Sequence, residues 1–180
     1  MLRITVPTTE LWDEDKEEFI TLNERTLQLE HSLVSVSKWE AKWCKPFLSK
    51  DEKTDEEAID YIKCMTLTQN VDPDIYGRLT ADNIKQINEY IKAPMTATTF
   101  SDDKKGKTNR EIITSEIIYH WMIALNIPPE YQKWHLNRLL ALIKVCDIKN
   151  QPPKKMSKRD IMSRNASLNA ARRRQLNTKG

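Results

Sequence analysis

The sequence predicts a mainly α protein: a single helical domain with a small N-terminal β-hairpin or sheet and a basic C-terminal helical arm. Three observations carry this. Between residues 32 and 150, apolar side chains recur at three- and four-residue steps, bounded by capping and breaking residues. The first thirty residues alternate instead, as half-buried strands do. The net charge of +3 is also sharply divided. Residues 151–180 carry nine Lys/Arg against one acid, Asp160, or +8, which leaves 20 basic and 25 acidic groups, or −5, on residues 1–150. The expected organisation is a β-rich segment 1–31, a helical body 32–150 and an arm 151–180.

Leu2 to Val6 is a short β-like run closed by Pro7. Phe19–Leu22 and Thr26–Glu30 read as two alternating strands joined by the polar turn Asn23-Glu24-Arg25. From Ser32 the period lengthens, and Leu33, Val36, Trp39 and Trp43 fall on one helical face before Pro46. Thr54 with Glu57 forms a capping box for a second helix whose inner face is Ile59, Ile62 and Met65 or Leu67. A turn at Val71-Asp72-Pro73-Asp74 follows. Thr80 then caps a helix carrying Ile84, Ile87 and Ile91 up to Pro94.

Ser101 to Asn109, with Gly106, is the expected mobile loop and proteolytic site. The most apolar stretch comes next. Ile112, Ile113, Ile117, Ile118, Trp121, Met122 and Leu125 make one stripe; Trp134, Leu136, Leu139, Leu140, Ile143 and Cys146 make another, with Arg138 on its polar side. An antiparallel helix pair joined at Asn126–Pro129 would bury both stripes against each other. Pro152-Pro153 ends the second helix, and Ser157 with Asp160 opens a last one toward Asn177. Its stripe of Ile161, Met162, Leu168, Ala171 and Leu176 is weak, so that helix needs a partner or the body for order.

Several chemistries are excluded. No window approaches the roughly 18 apolar residues of a membrane span, and Met1–Pro7 lacks a signal-peptide apolar region, so the chain reads as cytosolic. Cys44, Cys64 and Cys146 are odd in number and widely spaced, which points to buried, reduced thiols. Glycine occurs only at 77, 106 and 180, too few for a dinucleotide turn or a phosphate loop. His31, His120 and His135 have no metal-ligand spacing, although His120-Trp121 and Trp134-His135 would meet across the helix pair as interfacial histidines. Acidic runs such as Asp13-Glu14-Asp15 and Asp55-Glu56-Glu57 fit turns and helix starts. No Ser or Cys sits in a nucleophile elbow. The expectation is a non-enzyme without cofactor or metal.

The arm supports two readings. Arg172-Arg173-Arg174 with Lys154, Lys155, Lys158, Arg159 and Arg164 suits phosphates, but every aromatic residue lies before position 135, which disfavours nucleic acid read by base stacking. Interspersed Met156, Ile161, Met162 and Leu168 favour a protein partner. The expected partner-binding residues are Trp121, Trp134, Leu139, Met156, Ile161, Met162, Arg164, Leu168, Arg172 and Arg173.

The strings Arg110–Glu116, Trp134–Leu140, Ile143–Cys146, Ser163–Asn165 and Leu168–Arg173 resemble the tail assembly chaperones of long-tailed bacteriophages, the siphoviruses. The similarity covers most of the chain. It implies a protein of the host bacterial cytoplasm, absent from the finished virion, that binds and solubilises the tape measure protein and promotes tail tube assembly. Implied partners are the tape measure protein, the major tail protein and further copies of the chain along the client, with no membrane and no nucleic acid. In many members a programmed frameshift yields a longer second product, and an end at Lys179-Gly180 suits the unshifted form. A long apolar helical client aggregates unless its stripe is covered, and an acidic surface keeps the coated complex in solution. The alternative is a basic-armed nucleic-acid-binding protein or a virion head or neck component.

Overall fold

Four short strands open the chain: β1 (Leu2–Val6), β2 (Thr9–Asp13), β3 (Glu18–Leu22) and β4 (Arg25–Leu29). In the computed structural model, which describes residues 1–13, 17–100, 112–151 and 157–178, β1 pairs antiparallel with β4 and β2 with β3. The ladders run from Leu2↔Leu29 to Val6↔Arg25 and from Thr9↔Leu22 to Asp13↔Glu18. The second continues the register of the first without a slip. Together they make one long hairpin, interrupted at Pro7, Thr8, Asn23 and Glu24. Pro7 has no N–H to donate to a ladder. Arg78 bridges the break, its Nη2 donating to the carbonyls of Pro7 at 2.6 Å, Leu22 at 2.9 Å and Asn23 at 3.3 Å.

This corrects the pairing expected from the sequence. Both predicted strands exist, but they follow one another along one side of the hairpin instead of pairing through residues 23–25. That tripeptide lacks the glycine a tight hairpin turn favours, and alternation identifies a strand without naming its partner.

Ile4, Val6, Leu27 and Leu29 turn one face of the β1–β4 ladder into the core, each at most 2 % exposed. The helices close over that face. α1 (Leu33–Trp43) starts at the N-cap Ser32 and contributes Leu33, Val36 and Trp39. It ends at Cys44, whose φ of 50° is left-handed. Cys44 is exposed and Cys64 and Cys146 are half-buried, which corrects the expectation of three buried thiols.

α2 (Asp55–Met65) begins with the Thr54–Glu57 capping box. Met65 belongs to its inner face, whereas Leu67 is 54 % exposed. The N–H of Glu30 donates to Met65 O and that of Leu67 to Gln28 O, laying the end of α2 along β4. The expected turn at residues 71–74 leads into a 3-10 helix, Pro73–Arg78, capped by Asp72. α3 (Ala81–Lys92) starts at a Thr80–Asn83 capping box and packs on β1.

α4 (Ser115–Ala124) and α5 (Leu136–Asn150) flank a second 3-10 helix, Pro129–Lys133. The end of α4 is fixed by Asn126 in the left-handed region, with Asn126 N–H to Ile123 O and Ile127 N–H to Met122 O. α6 (Lys158–Leu176) is the arm helix, capped by Ser157 and Asn177, with no buried residue. By backbone contacts the chain divides into two compact units, Met1–Asp147 and Ile148–Gly180. The predicted loop 101–109 and the Pro152-Pro153 break lie outside the described residues.

No helix among the described residues is long and apolar enough to cross a membrane.

Candidate partner-binding grooves

The apolar stripes of α4 and α5 were expected to bury each other. They do so only in part, because α4 packs its backbone on α1. Its inner face, Ser115, Ile118 and Met122, is turned into the core, as is that of α5: Leu136, Leu139 and Ile143. The flanks of both stripes line an open groove of about 460 Å³, with Trp121, Ala124 and Leu125 on one wall and Leu140, Ile143, Lys144 and Asp147 on the other. Ile112 and Ile113 precede α4 and are exposed.

Glu40 explains why α4 is drawn to α1. Thr114, the N-cap residue of α4, makes no side-chain capping bond. Instead the buried Glu40 of α1 accepts from Ser115 N–H at 2.7 Å and from Phe47 N–H at 2.8 Å. One carboxylate thus caps a helix at the positive end of its dipole and fixes the loop after α1.

A second apolar groove, of about 590 Å³, separates α2 from α3. Ile59 and Ile62 form one wall and Ile84, Ile87 and Ile91 the other, above Phe47 and Tyr61. The α1–α2 contact beside it is tightly bonded. Trp39 Nε1–H donates to Glu57 O at 2.9 Å, and Trp43 Nε1–H to Asp60 Oδ2 at 3.0 Å. Lys45 pairs with Glu57 and Lys42 with Asp60. The Lys45 bond holds the Glu57 carboxyl below its ordinary range. Burial raises that of Asp60, but the bonds from Lys42 and Trp43 outweigh it and the net shift is downward.

Beneath the grooves lies a buried polar cluster. The rings of His31 and His135 stand edge to face, 5.0 Å between centroids. Tyr61 hydroxyl bonds His31 Nδ1, and the N–H of Leu136 donates to His31 O at 2.7 Å. His135 Nε2 bonds Tyr90 O at 3.0 Å while its Nδ1 accepts from Asn137 N–H at 3.3 Å, which makes it a neutral ring protonated on Nε2. Tyr90 hydroxyl donates to Glu30 at 2.7 Å. Burial and the neighbouring His135 lower the pKa of His31 to about 4. Burial also lowers that of His135. The expected meeting of His120 with His135 is therefore corrected: His120 is exposed, and the partner of His135 is His31. Among the described residues no three His, Cys, Asp or Glu side chains converge as a metal site would.

The ten expected partner-binding residues fall in separate places. Trp121 lines the α4–α5 groove. Leu139 is fully buried and cannot meet a partner; it faces the core with Leu136 and Ile143, and this corrects its assignment. Trp134 stacks on Tyr131, with 4.2 Å between centroids, and carries the Arg138 guanidinium 4.1 Å above its ring. Ile161, Met162, Arg164, Leu168, Arg172 and Arg173 are all exposed on α6. Met156 lies outside the described residues. Sequence reasoning missed Leu125 and Leu140 as groove residues and the whole α2–α3 groove.

Comparison with protein families, curated proteins and solved structures returned no match.

Proposed function

We propose that this chain is a non-enzymatic tail assembly chaperone that binds the tape measure protein through helix-in-groove contacts and promotes assembly of the tail tube around it. The observation that carries the reading is the α4–α5 groove. Trp121, Leu125 and Leu140 keep apolar surface exposed along two helices that stop short of closing on each other. An apolar helix laid there would cover that surface, with Lys144 and Asp147 at the rim to fix its orientation. The α2–α3 groove offers a second surface of the same chemistry, suited to a client that is long and repetitive.

Binding of this kind needs no catalytic group. It favours shallow apolar walls over a closed cavity, since the client must be released when the tube forms. The protein would act in the host cytoplasm and be absent from the finished particle.

Co-expression with a tape measure protein tests the proposal. The client is expected in the soluble fraction with the wild-type chain, and in the pellet with a Leu125→Glu, Leu140→Glu variant that itself stays folded. A client that remains insoluble beside the wild-type chain rejects the reading.

The second reading, nucleic-acid binding, rests on α6. Lys158, Arg159, Arg172, Arg173 and Arg174 are all exposed on α6, open to phosphate contact. It predicts duplex affinity that falls steeply with salt.

A further inference from the structure

The acidity of residues 1–150 is concentrated in one place. Between Glu10 and Glu18 the sequence carries six acids and one lysine, a net −5. That equals the charge of the entire 150-residue stretch, so the remainder of it is neutral. The segment overlaps the β2–β3 ribbon, whose principal packing is of one strand on the other. Its Trp12 and Phe19 are directly paired across the strands, edge to face at 4.9 Å, yet are 52 % and 68 % exposed. An aromatic pair left this open, on a ribbon that also exposes Glu10, Glu17 and Glu18, has the composition of an interface without its partner.

The arm has the opposite chemistry. The α6 helix buries none of its residues, whereas helices in proteins draw most of their stability from tertiary packing. It exposes Ile161 at 44 %, Met162 at 72 % and Leu168 at 46 % among cations. We propose that the acidic aromatic hairpin of one copy docks on the basic α6 arm of a second copy. Arginines would lie over Trp12 and Phe19 and pair with Glu10, Glu17 and Glu18, while Met162 and Leu168 cover ring surface.

Charge selects the geometry. Hairpin against hairpin and arm against arm are both repelled, so neither surface supports a symmetric contact with itself. Hairpin against arm joins two different surfaces. Such a contact is heterologous: it propagates head to tail or closes as a reciprocal pair. This inference concerns the chain alone and does not rest on the client reading.

Sedimentation velocity on the purified full-length protein, without client, tests it. In about 50 mM salt the weight-average sedimentation coefficient is expected to rise with protein concentration, and to return toward the monomer value near 500 mM salt. Glu10→Lys with Glu18→Lys, or Arg172→Glu with Arg173→Glu, should each weaken association about tenfold or more. Combining the four changes in one chain leaves −1 on the hairpin segment and +4 on the arm and should weaken association further. Trp12→Ala with Phe19→Ala should weaken association without changing its salt dependence, and circular dichroism checks that each variant is folded.

A monomer at every concentration overturns the proposal, including one whose arm folds onto its own hairpin. So does association indifferent to the reversals. A shallower salt dependence in the charge-reversed variants, unlike the unchanged one of the aromatic variant, separates charge pairing from damage to either surface.

Discussion

Acidification from pH 7 to pH 5 isolates the buried histidine cluster. His31 is 2 % exposed, and its Nδ1 is occupied by Tyr61 hydroxyl. Its folded pKa is about 4 against an ordinary 6.5. Because the folded pKa is depressed, the unfolded chain binds the proton first as pH falls. The stability that depends on neutral His31 is complete above pH 6.5, declines between 6.5 and about 4, and loses nothing more below that. At pH 5 nearly all unfolded chains carry the proton and about one folded chain in ten does, so His31 alone should cost about 2 kcal/mol relative to pH 7. His135 shifts in the same direction and adds to the loss. Glu57 and Asp60 have lowered pKa values and contribute in the same sense only at more acidic pH, which keeps this window to the histidines.

Urea unfolding at pH 7 and pH 5 measures the loss. His31→Asn keeps an acceptor near Nδ1 for Tyr61 but cannot titrate. It should be less stable at pH 7, because the ring leaves a cavity, yet lose about 2 kcal/mol less than the wild type between the two pH values. An equal loss in wild type and variant would refute the assignment of that pH dependence to His31.

The other predictions concern packing and caps. Glu40→Ala strands the buried N–H groups of Phe47 and Ser115 and should cost on the order of 3 kcal/mol in urea unfolding, with Glu40→Gln recovering part of it. Leu139→Ala should cost roughly 2–5 kcal/mol, whereas Met162→Ala on the exposed α6 should stay within about 0.5 kcal/mol of wild type in the purified protein. Thr54→Ala removes the acceptor for Glu57 N–H and should lower stability by about 1 kcal/mol, read as a reduced thermal midpoint.

Much of the fold was legible where local physics decides it. The α2 and α3 starts were readable because Thr54 and Thr80 serve the N–H groups of residues three positions on, an interaction fully contained in the sequence. Interior positions such as Leu33, Val36 and Ile118 followed from helical period. What was not legible depends on distant residues. Strand alternation located β3 and β4 but carried no information on partners, so the long hairpin was missed. The α4–α5 contact was overestimated because a stripe records that a face is apolar, not what covers it; the deciding residue, Glu40, sits on α1. Within α5, Leu139 and Leu140 lie on opposite sides of the Leu136 and Ile143 line, and helical period alone does not say which of the two faces the core. The meeting of His31 with His135 joins a strand end to the start of the last body helix, and no spacing rule reaches that far.

The central claim is that the α4–α5 groove holds an apolar client helix, and crosslinking tests it most directly. A photoreactive phenylalanine replacing Leu140, activated in cells that co-express a tape measure protein, should give adducts clustered at regular helical spacing on the client's apolar stripe. The same group at Asp74, exposed in the 3-10 helix Pro73–Arg78, is the control. Client adducts no more frequent from Leu140 than from Asp74 would contradict the account.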